Sequence, residues 1–121
     1  MSLTNITLLD SIEYGTPSGN YDGSSQDFTS DPAEAAGYYR GIGNVQTLLI
    51  NVTDFVGRIR VQATLSEDPL AAAWFLLEEF GDGSSVLTTQ YSINQIGNFS
   101  WMRVEVVDFT AGTINFVRLS Y

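Results

Sequence analysis

Hydrophobic and polar residues alternate most cleanly over residues 58–65. Ile59, Val61, Ala63 and Leu65 share one parity, and Arg58, Arg60, Gln62 and Thr64 share the other. Side chains of an extended backbone point alternately to two faces, so this run predicts a strand with one dry and one wet side. The same pattern recurs in QTLLINV, where Leu48, Ile50 and Val52 oppose Thr47, Leu49 and Asn51. It recurs again over 99–107, with Met102, Val104 and Val106 against Trp101, Arg103 and Glu105. A first strand is expected over 4–12, where Ile6, Leu8, Leu9 and Ile12 alternate imperfectly, and a Thr-rich one over 86–93. In the last, 113–121, Ile114 and Phe116 have one parity while Val117, Leu119 and Tyr121 have the other, which predicts a β-bulge near Phe116.

Turn chemistry punctuates these runs at Phe55-Val56-Gly57, Asp68-Pro69, GDGSS (81–85), Gly97-Asn98 and Ala111-Gly112. A long polar region spans about 13–37 and is dense in Gly, Pro, Asn, Asp and Ser. Within it, Asp31-Pro32 before AEAAG admits one helical turn, with Asp31 as N-cap, Pro32 in first position and Gly37 as the stop. The segment AAAWFLLEEF (71–80) suits a helix by composition and a strand by length. Seven or eight short strands, with at most one short helical turn, predict an all-β, antiparallel β-sandwich of jelly-roll type. A single domain spans residues 1–121.

Two stretches echo one another: VTDFVGRIRVQATL (52–65) and VVDFTAGTINFVRL (106–119). Asp54-Phe55-Val56-Gly57-Arg58-Ile59 matches Asp108-Phe109-Thr110-Ala111-Gly112-Thr113-Ile114 with one residue inserted. Each reads as a hairpin in which the Asp bonds turn amides, the Phe plugs the end of the core and the Gly permits a close approach. The echo is either reuse of common hairpin chemistry or the mark of a pseudo-symmetric sandwich whose two corners are built alike.

Composition narrows the chemistry. Net charge is −9, yet only 16% of residues are charged, against about 25% in ordinary domains. Lysine is absent, and the cations are Arg40, Arg58, Arg60, Arg103 and Arg118. An acidic chain without clustered cations repels polyphosphate, which argues against nucleic acid and anionic membrane surfaces as partners. Histidine and cysteine are also absent, which excludes Ser-His-Asp, Cys-His and ordinary zinc sites. No signal-peptide pattern follows Met1, and no apolar run approaches the ~20 residues of a membrane helix. No cofactor and no metal are expected.

Each candidate site carries a sharp and a plain reading. The loop Asn20–Asp27 holds only two carboxylates, Asp22 and Asp27, too few for a calcium loop, so an Asx-rich turn is expected. Glu78 and Glu79 are neighbours on a strand and face opposite ways, so they cannot flank one glycosidic bond; no catalytic residue is expected. Arg58, Arg60 and Arg103 are candidate interface residues that would pair with carboxylates of a neighbouring copy, or else are solvated surface charge. Tyr38, Tyr39 and Trp101, with Tyr14 and Tyr21, would form an aromatic platform for a glycan, or else cap the edges of a small core.

Several stretches look alike in order and spacing to one protein family. These are Phe55-Val56-Gly57 followed by RIRVQATL and Trp74, then FSWMRVEVVDFTAGTINFVRLSY, YDGSSQDFTSDP and GYYRGIGNVQTLLI. Together they resemble small β-sandwich structural proteins of tailed-phage virions, especially those of cyanophages, from about Tyr21 onward. The resemblance implies a non-enzymatic virion component made in the host cytoplasm and packed on a capsid, neck, baseplate or tail fibre. Its partners would be other virion proteins and further copies in a homo-oligomer. It also implies a strand over 71–80, with Trp74 in the returning sheet. The alternative expectation is a carbohydrate-binding module that recognises host surface glycans.

Overall fold

A computed structural model describes residues 5–35, 45–70 and 73–121. The strands are β1 (Asn5–Glu13), β2 (Phe28–Thr29), β3 (Ala33–Glu34), β4 (Val45–Thr64), β5 (Phe75–Phe80), β6 (Leu87–Ile96) and β7 (Trp101–Ser120). All pair antiparallel in one open sheet, and the described residues contain no helix. The all-β architecture is therefore the one the alternation predicts.

β4 and β7 are the spine, paired from Thr47↔Ser120 to Thr64↔Trp101. Twenty residues of strand would run about 65 Å if straight, longer than a domain of this size is wide. The ribbon instead bends midway, where the register shifts between Thr53 and Val56 and again before Arg58. Asp54 (φ 51°) and Asp108 (φ 55°) sit in the left-handed region at this bend. One layer comprises β1, residues 113–120 of β7, residues 45–53 of β4, and β6. The other comprises β2 and β3, residues 101–107 of β7, residues 58–64 of β4, and β5. Leu48, Ile50, Val117 and Leu119 from the first layer share one core with Val61, Ala63, Met102 and Val104 from the second.

The two echoing stretches are not hairpins. The chain does not reverse at 55–57 or at 111–112; it stays extended and crosses from one layer to the other. An extra residue in the ladder bends a strand without reversing it, and a left-handed Asp supplies the same kink on each side. The corners are nevertheless built alike. Phe55 and Phe109 are both fully buried, with ring centroids 5.7 Å apart. Exchanging β4 with β7 carries β5 and β6 onto β1 and the β2–β3 pair, so each long strand is flanked by short strands from the other half of the chain.

Local expectations fared unevenly. The bulge near Phe116 is present: Asn51 pairs with Phe116 and Val52 with Ile114, leaving Asn115 unpaired. A bulge between Thr7 and Leu9 explains the imperfect alternation of β1. Residues 75–80 are strand, while 71–72 lie outside the described residues. The helical turn after Asp31 is overturned over its described part, because Ala33 and Glu34 pair with Met102 and Trp101. Ala35 N then donates to Ser100 O at 3.0 Å. A ladder partner with small buried side chains outweighs weak local helix propensity. The polar region also contributes to the core: Tyr21 is buried, with its ring 5.0 Å from Phe28 and 5.3 Å from Phe109.

Candidate functional site

The outer face of the second layer collects the charged side chains of the two long strands. Arg60 lies between Glu105 on β7 and Glu79 on β5 in register. Its Nη1 donates to Glu105 Oε1 at 3.3 Å, and its Nε stands 3.3 Å from Glu79 Oε2. One row further, Arg103 Nε donates to Gln62 Oε1 at 2.8 Å, and the guanidinium stacks 4.3 Å from the Trp74 ring centre. Arg58 Nη2 donates to Asp82 O at 3.1 Å, and its Nε stands 3.8 Å from Asp108 Oδ2. At the far end Trp101 Nε1 donates to Glu67 O at 3.0 Å. The candidate residues Arg58, Arg60, Arg103 and Trp101 therefore share one face. The arginines meet partners within the chain, and such half-exposed ion pairs are worth about 0–1 kcal/mol each.

The outer face of the first layer is chemically different. Thr47, Leu49 and Asn51 on β4 lie beside Ser120, Arg118 and Phe116 on β7 and Asn94, Ser92 and Gln90 on β6. Amides are linked across strands: Asn115 Nδ2 donates to Asn51 Oδ1 at 2.8 Å, and Asn51 Nδ2 to Gln90 Oε1 at 3.0 Å. Thr47 Oγ1 donates to Asn94 Oδ1 at 2.7 Å. Arg118 lies over the Phe116 ring at 4.0 Å, and Asp10 flanks Phe116 on β1. The central strands and β6 thus offer a broad polar face with almost no charge. The parity of QTLLINV signalled that Thr47, Leu49 and Asn51 share a face, but its neighbours depended on the register.

Two identical tetrapeptides, Asp22-Gly23-Ser24-Ser25 and Asp82-Gly83-Ser84-Ser85, close the loops at equivalent places in the two halves. In each, the Asp Oδ1 accepts from the two serine amides at 2.9 and 2.7 Å, and Oδ2 accepts from the second serine hydroxyl at 2.7 Å. These are Asx turns, and among the described residues no carboxylate group is arranged to hold a metal. The Ser25 hydroxyl, then the Ser24 and Ser25 amides, hold Asp22 down to about 2 from an ordinary 3.8. The Ser85 and Ser84 amides, then the Ser85 hydroxyl, push Asp82 lower still.

A pKa depressed in the folded state stabilises above the unfolded value and is lost as pH falls through the folded one. The contribution of the two turns is therefore intact above 3.8 and lost on acidification toward 2 and below. Thermal melts at about pH 5 and about pH 2.5 are expected to separate more for the wild type than for the Asp22→Asn, Asp82→Asn double variant. Equal separations would remove the turns from the acid response.

Among the described residues the aromatic candidates Tyr14, Tyr21 and Trp101 do not gather. Tyr38 and Tyr39 lie outside the described residues. Tyr21 is buried and so cannot stack on a ligand, and its hydroxyl accepts from Gly15 N at 2.9 Å. Tyr14 packs edge-on to Phe109 at the bend, whereas Trp101 is at the opposite end of the β7 half-strand. Glu78 and Glu79 diverge as expected: Glu79 faces Arg60, while Glu78 Oε2 accepts from Gln95 Nε2 at 3.4 Å across the layers. An open cleft of about 320 Å³ lies between β1 and the 18–31 loop. Its Asn20 Nδ2 is already bonded to Thr29 O and Asp31 Oδ1.

No protein-family model matches the chain, and no curated protein is similar enough in sequence to count as a relative.

Proposed function

We propose that the chain is a non-enzymatic structural component of a tailed-phage virion that works by packing against other proteins and against copies of itself. The observation that carries this reading is the sorting of charge between the two outer faces. In a chain of net charge −9, the Thr47–Asn51 face bears amides and hydroxyls where the opposite face bears the Arg60 network. Among the described residues Arg118 is the one charge beside Thr47–Asn51, so a neighbouring surface that settles over β4 and β6 strips water from few ions, and the centres of protein interfaces are depleted of charged residues. The resemblance of RIRVQATL and FSWMRVEVVDFTAGTINFVRLSY to virion proteins supplies the setting.

The glycan-binding alternative retains Trp101, with Trp74 and Arg103 on the same side of the sheet. It is weakened because the Arg103 guanidinium already occupies one face of the Trp74 ring. Peptides of the chain should be found by mass spectrometry in gradient-purified particles, with capsid or tail genes flanking its coding sequence. Detection only outside particles, among polysaccharide-processing genes, would overturn the virion reading. Glycan-array binding abolished by Trp101→Ala would put the alternative in its place.

A further inference from the structure

We infer that β6 is a docking edge for a second copy of this chain, the two β6 strands pairing antiparallel about a twofold axis so that the first layer continues from one copy into the next. The inference rests on the packing role proposed above and names its contact. Among the described residues β6 pairs with β4 alone, through eight consecutive partners from Val45↔Ile96 to Val52↔Thr89. Among the described residues no strand pairs with its other side, and a strand in that condition templates another strand unless something blocks it.

The other edges are blocked. β1 carries Asp10 and Glu13, a bulge between Thr7 and Leu9, and Ser11 at φ 50°. β5 is six residues long, carries Glu78 and Glu79, and is bulged opposite Val61 and Gln62. β2 and β3 have two residues each. β6 carries no charge and is long, and the one register shift in its ladder, opposite Thr89 and Leu87, lies at one end with the extra residue on β4. Its ten residues, LTTQYSINQI, contain no charge, proline or glycine, and most are exposed.

A second copy is the occupant this edge fits. Twofold pairing sets a strand against itself, so any charge on it would meet its like; a chain of net charge −9 can approach itself most easily where it carries none. In a register centred on Ser92, Gln90 of one copy faces Asn94 of the other. Each amide oxygen already accepts one bond, from Asn51 or from Thr47, and keeps a second lone pair, so the NH2 of one amide can donate to the oxygen of the other across the axis. Edge pairing alone buries less than a standard interface, so the isolated dimer is weak and tightens where an assembly holds copies close together.

Sedimentation velocity over about a hundredfold range of protein concentration tests this. The wild type should move from monomer to dimer, with amides of 88–96 gaining protection from hydrogen exchange at the high end. Gln90→Lys with Ser92→Lys should stay monomeric with unchanged circular dichroism, although the added cations weaken general repulsion. Asn5→Lys with Thr7→Lys makes the same charge change on β1 and should dimerise like wild type. A wild type that stays monomeric, a β6 variant that still dimerises, or a mass that climbs past dimer overturns the assignment. Presence of the chain in particles is measured separately, so the loss of this edge would leave the virion reading standing, and the converse holds.

Discussion

Gly112→Ala should unfold the protein or lower its stability by about 3 kcal/mol or more, the largest loss expected from any single added methyl. Gly112 sits at φ 90° where β7 crosses between layers, and a β-carbon built on it would overlap the carbonyl group of Asp54 and press within 2.6 Å of Phe55 Cα. Those atoms are backbone at the partner bend, so they cannot swing aside as a side chain would. Gly112 O also accepts from Tyr14 N at 2.9 Å, so a shift of this residue would disturb the end of β1 as well. Gly15 supplies the control. It has φ 89°, but a β-carbon there meets nothing within 4 Å. Gly15→Ala should therefore show the backbone strain alone, about 1–2 kcal/mol. Urea denaturation of both variants checks the claim, and similar losses at the two sites would mean that close contact of the bends contributes nothing.

How much of this was legible in the sequence depended on whether the signal was local. Strand parity is local, and it placed Ile59, Val61 and Ala63 inward and Arg58, Arg60 and Gln62 outward. It also located the bulge beside Phe116, because an extra residue reverses parity. Connection is not local. Asp-Phe followed by a glycine looks the same in a hairpin as in a strand bent between layers, since both need a left-handed residue and a close approach. Only the partner ladder, in which β4 and β7 run together on both sides of the bend, separates the two.

The same distinction governs the surfaces. Arg60 could be read as outward-facing, but its two carboxylates come from Glu79 and Glu105 on separate strands, and their meeting is set by register. The echo of Asp54-Phe55 in Asp108-Phe109 was the sequence signal that tied the halves together, and the repeated Asp-Gly-Ser-Ser gained meaning only from the equivalent places of the two turns. Each copy closes one half's loop, and its geometry is the same to within the distances given. β6 was legible as a Thr-rich strand, whereas its place at an edge followed from the topology.

Phe109→Ala should cost about 3–5 kcal/mol, the range for emptying a buried phenylalanine site. Against a total of about 5–15 kcal/mol for a domain, that is enough to bring the fold near its limit. Phe109 meets Tyr14, Tyr21, Phe28 and Phe55 at centroid distances of 5.6, 5.3, 6.1 and 5.7 Å. These neighbours are large, rigid rings, which fill the space left by another ring poorly. Its counterpart Phe55 touches Phe80 as well as Phe109, so Phe55→Ala should cost a similar amount. The two losses should not add. Each ring plugs its own bend and is also packed against the other, so removing the first already strips contacts from the second. The double variant should therefore lose less than the sum of the singles, by about 0.5–3 kcal/mol in a thermodynamic cycle measured by urea denaturation. Additive losses would mean that the two corners are held independently, and the pseudo-twofold pairing of the halves would then contribute shape without shared stability.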